Sequence, residues 1–237
     1  INLSKGLYEW DQIKHDYLDK LYLAIEVALN DDCYNDHIHP ILISGNLSND
    51  NLDLQADIYS EISLKIGSLL ADKNSDGLIA VMTPPRDFDK IIKLHESGIK
   101  TVVFNLEVAN EPYFSKYCPG KSYLGQDYFI DRLKFATTIF DDHMVWTNFV
   151  LGLEPVDMLL EKCEEFAQLG IVSGANVLHI DSGSKLDCMP PSKSDVIKFF
   201  YGLNKIYIKH NQRPFYCSKA LRTSLSNEFF DGRFIEE

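Results

Sequence analysis

The chain has 237 residues, 45% hydrophobic and 24% charged, enough to bury the core of one to two ordinary domains. Its 23 basic against 35 acidic residues leave a formal charge of −12. This excess argues against nucleic-acid binding, which needs basic groups to neutralise phosphates, and no polybasic run addresses anionic lipid. No apolar stretch approaches the roughly 20 residues a membrane span requires, and the start carries neither a secretory nor a transit composition. The five cysteines, Cys33, Cys118, Cys163, Cys188 and Cys217, are scattered and odd in number. They read as reduced thiols of a cytoplasmic protein, and a small ligand is the expectation.

Taken in order, Tyr8 to Leu29 shows a helical stripe at Leu18, Leu21, Tyr22, Ile25 and Leu29. The short apolar run Pro40–Ser44 predicts a buried parallel strand, and Ile58, Ile62, Ile66, Leu69 and Leu70 a second helix. Leu78–Thr83 is the next strand, stopped by Pro84 and Pro85. Asp87 opens a helix closed by Gly98, and Lys100–Asn105 is a strand. Helical segments follow around Glu111 to Tyr117 and Tyr128 to Phe140. Met144–Leu151 predicts a strand, Val156–Leu169 a helix closed by Gly170, Asn176–Ile180 the last strand and Lys193–His210 a long helix. The stretch from Pro214 onward is aromatic and without clear periodicity.

Helix first, then five strand–helix units, predicts an α/β fold with a parallel sheet covered on both faces. One domain over residues 1–237 is expected, a barrel-like part to about 211 and a tail over 212–237. A complete eight-stranded barrel uses about 250 residues; here five strands use nearly that length. A parallel sheet that opens with a helix implies a strand before Ile1. Because Ile1 is not a natural start, the chain is expected to begin inside a longer protein.

Ligands of parallel α/β folds sit at the carboxyl ends of the strands. Those ends here carry Ser44-Gly45-Asn46, Thr83-Pro84-Pro85-Arg86, Asn105-Leu106-Glu107, Gly152-Leu153-Glu154-Pro155 and Asp181-Ser182-Gly183-Ser184. Together they would ring a cavity with amide, hydroxyl and carboxylate groups suited to a polar ligand bearing an amine and hydroxyls. Each also has a plain structural reading: a glycine turn for Ser44–Asn46, helix caps for Glu107 and Glu154. Cys33, His37 and His39 are good zinc ligands but precede a strand, at the end opposite the expected site. In Cys118-Pro119-Gly120-Lys121, Gly120 and Lys121 could approach a carboxylate or phosphate, without the pattern of a P-loop. His179 and Asp181, at the last strand, are candidate acid–base groups if they face the interior, and a satisfied core histidine is the equal alternative for His179.

The segments Val103–Glu111, Tyr117–Lys121 and Asn148–Pro155, with the strings NLE, CPGK and VLGLEP in that order, resemble radical S-adenosylmethionine (SAM) enzymes, particularly the biotin-synthase-like branch. The resemblance runs from about Pro40 to Asp181. It implies a partial barrel of six strand–helix units, of which the five here match the second to the sixth and the first is missing. It implies that Ser44, Gly45 and Asn46 hold the SAM amino group, with Asn46 standing where the motif has an acid. It further implies that Asn105 and Glu107 approach the ribose and methionine, and that Asn148, Gly152 and Glu154 line the adenine pocket. The implied chemistry is reductive cleavage of SAM to a 5′-deoxyadenosyl radical that abstracts hydrogen from a small-molecule substrate. Lys121, His179 and Asp181 are the candidates on the substrate side, and the electron donor would be a flavodoxin or ferredoxin.

The implied [4Fe-4S] cluster needs a Cys-x3-Cys-x2-Cys triplet, which none of the five cysteines forms. The favoured expectation is that the cluster-binding region lies upstream of Ile1. Two other readings stand beside it: a non-catalytic SAM- or nucleoside-binding relative, and a cluster-independent acid–base enzyme on a partial barrel.

Overall fold

A computed structural model describes residues 9–32, 40–44, 51–70, 77–214 and 224–233. Its elements in chain order are α1 (Trp10–Leu29), β1 (Ile41–Ile43), α2 (Leu52–Leu70), β2 (Leu78–Val81), α3 (Phe88–Glu96), β3 (Ile99–Val103), α4 (Tyr113–Tyr117), α5 (Pro119–Ser122), α6 (Gln126–Ala136), β4 (Val145–Leu151), α7 (Val156–Gln168), β5 (Val172–Val177), α8 (Lys193–Lys209) and α9 (Leu225–Phe230). The five strands form one sheet in the order β1-β2-β3-β4-β5, every pair parallel. The predicted α/β class with a parallel sheet holds, and the arrangement is consistent with a partial barrel. All five strand mouths therefore open on the same end of the sheet.

The apolar runs of β2, β3 and β4 form strands where both faces of the sheet are covered. Leu78, Ile79, Ala80, Val102, Val103, Val145 and Trp146 are almost fully buried. β1, expected to be buried, instead lies at the sheet edge, with Ile43 65% exposed and Ile41 and Leu42 half-buried. On α2, Ala56, Ile58, Tyr59, Ile62, Ile66 and Leu70 are buried at helical spacing. Local chemistry sets the helix ends. The Asp87 carboxylate accepts from the Asp89 N–H at 3.0 Å to start α3, and Ser192 and Asp195 form a reciprocal capping box at the start of α8. Gly98 closes α3 and Gly170 follows α7, at φ 97° and 79°.

Three expectations need correction. The last strand is Val172–Val177, not Asn176–Ile180. Its register is set by β4, from Trp146 opposite Val172 to Leu151 opposite Val177, and pairing stops where β4 stops. Ser173, Gly174 and Asn176 interrupt the apolar run, which hid the strand. The segment around Glu111–Tyr117 continues into a second short helix, α5, opened by Pro119 at its first position. The aromatic tail contributes α9: Ser224 caps it, and Phe229 stacks on Phe200 of α8 with centroids 6.0 Å apart. Cys33, His37 and His39 lie outside the described residues.

Candidate functional site

A cavity of about 240 Å³ opens at the carboxyl ends of β1, β2 and β3. Its lining includes Ser44, Thr83, Asn105, Glu107 and Lys121. All five were singled out in the sequence, and they meet in one place. The Lys121 ammonium donates to the Asn105 carbonyl at 2.8 Å and to Glu107 Oε1 at 2.9 Å. Lys121 reaches the cavity because α5 turns tightly after Cys118, whose carbonyl accepts from the Lys121 and Ser122 amides, both at 2.9 Å. Its side chain is 15% exposed and its ammonium lies 5.6 Å from the ring centroid of buried Phe129.

Glu107 is held in an uncommon conformation. Its φ is 71°, left-handed for a residue with a side chain. β4 enforces it: the Glu107 amide donates to the Asn148 carbonyl at 2.9 Å, and the Glu107 carbonyl accepts from the Val150 amide at 2.8 Å. Backbone strain of this kind costs on the order of 1–3 kcal/mol and persists where surrounding contacts over-determine it. Its consequence here is that the carboxylate sits among the cavity-lining groups.

Asn148 links this cavity to a second one of about 240 Å³, which also borders Ile43 and Val81. Its amide Nδ2 donates to Asn105 Oδ1 at 3.3 Å. Gly174 makes room for it, since a Cβ there would stand 2.3 Å from Asn148 Oδ1. Nothing in the sequence pattern marked Gly174, whose role depends on the register between β4 and β5.

Gly152 and Glu154 go elsewhere. Both border a more open hollow of about 510 Å³ with Pro191, Asp195 and Lys198. Glu154 is 6% exposed; its Oε1 accepts from the Ala109 amide and its Oε2 from the Asn110 side chain, both at 2.7 Å. Burial holds its carboxyl above the ordinary range, and those two bonds pull it back part of the way. Glu154 therefore braces the loop after β3.

His179 and Asp181 stand 3.4 Å apart on the loop after β5, with side chains 81% and 84% exposed. With β5 ending at Val177, the alternation that would have turned His179 inward is absent. Ser44 is described, its amide donating to the Val81 carbonyl at 3.0 Å, whereas Gly45 and Asn46 lie outside the described residues. Burial pushes the Cys118 thiol up to about 11, so it stays protonated near neutral pH.

Two buried polar residues on α2 carry no mark in the sequence pattern. Gln55 and Tyr59, one helical turn apart on α2, are 1% and 3% exposed. Neither the two amide atoms of Gln55 nor the Tyr59 hydroxyl has a hydrogen-bond partner. Burial pushes the Tyr59 hydroxyl up to about 12, while nearby Gln55 and Ser44 pull it down without completing a bond of good geometry.

These features define a parallel α/β protein with a charged, partly enclosed site at its strand mouths. The chain is similar to the bacteriochlorophyllide c C-7(1)-hydroxylase of Chlorobaculum limnaeum, 32% identical over 139 residues. The match covers 57% of this chain and 35% of the hydroxylase, so the chain matches about a third of that enzyme's length. This likeness supports a radical SAM relationship. No protein-family model matches the chain, and no solved structure matches it.

Among the described residues, no three His, Cys, Asp or Glu side chains converge as a metal site, so these residues do not fit an iron–sulfur cluster. They do fit the amino-acid end of SAM, which needs acceptors for an ammonium and a cation for a carboxylate. No described helix is long and apolar enough to cross a membrane.

Proposed function

We propose that the cavity between β1, β2 and β3 binds the amino-acid end of SAM, and that the chain is part of a radical SAM enzyme acting on a small molecule. One observation carries the reading: Asn105 O and Glu107 Oε1 jointly hold the Lys121 ammonium at 2.8 and 2.9 Å. A pair that holds one ammonium suits another, and Lys121 supplies the positive charge a carboxylate needs. Bound SAM would supply the hydrogen-abstracting group only on one-electron reductive cleavage, with the electron delivered by an iron–sulfur cluster held outside the described residues. The chain's own residues bind and orient: Glu107 and Asn105 take the ammonium, Ser44 adds a hydroxyl, and Asn148 fixes Asn105 from the side.

The relative is named as a hydroxylase of bacteriochlorophyllide c. Hydrogen abstraction from a small-molecule substrate is the reaction class proposed here, with an electron donor of the flavodoxin or ferredoxin kind. Bacteriochlorophyllide c is the first substrate to try.

Calorimetric titration of the full-length protein with SAM tests the site. E107Q and K121M are each expected to weaken binding about tenfold or more, the effect of losing one charge-assisted hydrogen bond. Unchanged affinity in both variants overturns the assignment. Anaerobic iron and sulfide reconstitution tests the enzyme reading. A colourless product that binds SAM without cleaving it would replace that reading with the non-catalytic one.

A further inference from the structure

Side chains of α6 hold the loops after β2 and β3, the two strand mouths that contribute most of the cavity's polar lining. Two of them take three successive carbonyls of the loop after β2. The Tyr128 hydroxyl donates to the Pro84 carbonyl at 2.7 Å. Arg132 donates from Nε to the Pro85 carbonyl and from Nη2 to the Arg86 carbonyl, both at 2.8 Å. From the same helix, Gln126 Nε2 donates to the carbonyl of Val108, the residue after Glu107, at 3.2 Å.

The grip on the β2 loop is built for a fixed geometry. Pro84 and Pro85 have no amide N–H, so this stretch has little backbone hydrogen bonding of its own to define its course. A planar guanidinium suits neighbouring carbonyls, and its orientation is set by two rings: Arg132 Cζ lies 3.6 Å from the Tyr128 centroid and 4.8 Å from that of Phe88. From α2, Asp53 Oδ1 accepts from the Arg86 amide at 2.7 Å and the Asp87 amide at 3.0 Å. Thr83, immediately before the held loop, lines the cavity. Phe129, which follows Tyr128 on α6, has its ring centroid 5.6 Å from the Lys121 ammonium. One helix thus contacts the β2 mouth, the β3 mouth and the cavity's lysine.

We infer that Tyr128 and Arg132 are positioning residues, which fix the β2 mouth relative to the β3 mouth and keep the cavity preformed for its ligand. Preforming a site lowers the ordering cost of binding. With SAM as the ligand, the inference rests on the site proposed above.

Y128F, R132M and R132K, made singly in the full-length protein, are to be compared with wild type. The measurements are amide hydrogen exchange at Arg86 and Asp87, urea unfolding, and titration of the folded protein with SAM. R132K keeps the charge without the fork. Y128F removes only a hydroxyl, so it decides the outcome if R132M does not fold. The expected result is faster exchange at both amides and SAM affinity lowered about three- to tenfold in Y128F and R132M, with R132K between wild type and R132M. A purely structural role predicts lower urea midpoints with undiminished affinity, and that result overturns the inference. Unchanged exchange in Y128F and R132M overturns it as well, since the loop would then be held without α6. If wild type does not bind SAM, the site proposed above fails and this inference falls with it; wild-type binding that the variants leave intact strikes the inference alone.

Discussion

Glu107 and Glu154 look interchangeable in the sequence, each following a leucine just past an apolar strand, yet the structure gives them opposite tasks. Glu107 borders a cavity, held there by a left-handed backbone and answered by a lysine that also borders it. Glu154 is turned inward and both of its oxygens are consumed by the Ala109 amide and the Asn110 side chain. A carboxylate with bonding capacity facing open space can meet a ligand, and one already saturated by backbone and amide donors holds a loop. The cavity at β1–β3 is the better candidate because its charges are arranged around space.

The largest expected effect breaks this comparison directly. E154A leaves a buried amide and the Asn110 side chain unpaired and should lower unfolding stability by about 2–4 kcal/mol. E107A should change stability by less than about 1 kcal/mol, because its partner Lys121 keeps the Asn105 carbonyl, while removing SAM binding. Urea melts and titrations of the two variants check this; equal destabilisation would end the distinction.

A smaller effect is expected of G174A, whose added methyl group would meet Asn148 Oδ1 at 2.3 Å. Overpacking of this kind costs about 1–3 kcal/mol, and displacing Asn148 should also loosen Asn105. Pairing G174A with N148A in a double-mutant cycle reads the coupling. Strict additivity would show that Gly174 does not serve Asn148.

The smallest effect lies in pH dependence. The Glu154 carboxyl is raised above its ordinary value of 4.5, mainly by burial. Its contribution to stability is therefore full below 4.5 and declines as pH rises through the raised folded value. Glu164, on α7, is held down to about 2 by the Lys209 ammonium and then the His210 ring. Its contribution is full above its ordinary 4.5 and is lost as pH falls toward 2. Stability measured across this range should lose its falling limb in E154Q and part of its acid-side loss in E164Q. Identical profiles in both variants would contradict the assigned environments.

Much of the site was legible because strand mouths in a parallel sheet share one end. Once Pro40–Ser44, Lys100–Asn105 and Met144–Leu151 read as strands, Ser44, Asn105, Glu107 and Asn148 had to lie near one another. Lys121 was marked by its unusual Pro-Gly-Lys setting, though not as Glu107's partner, since that contact depends on how α5 folds back. His179 was drawn toward the interior only by placing the last strand four residues late.

Apolar patterning and turn residues by themselves determined the alternation of helices and strands, the parallel sheet and the end at which polar groups collect. These follow from local burial periods and backbone preferences, which each short segment carries within itself. Tertiary structure alone decided which glutamate faces space, that Gly174 yields room to Asn148, and that Gln55 and Tyr59 sit buried on α2. Those outcomes depend on register and on distances between segments far apart in the chain, and no local preference encodes them.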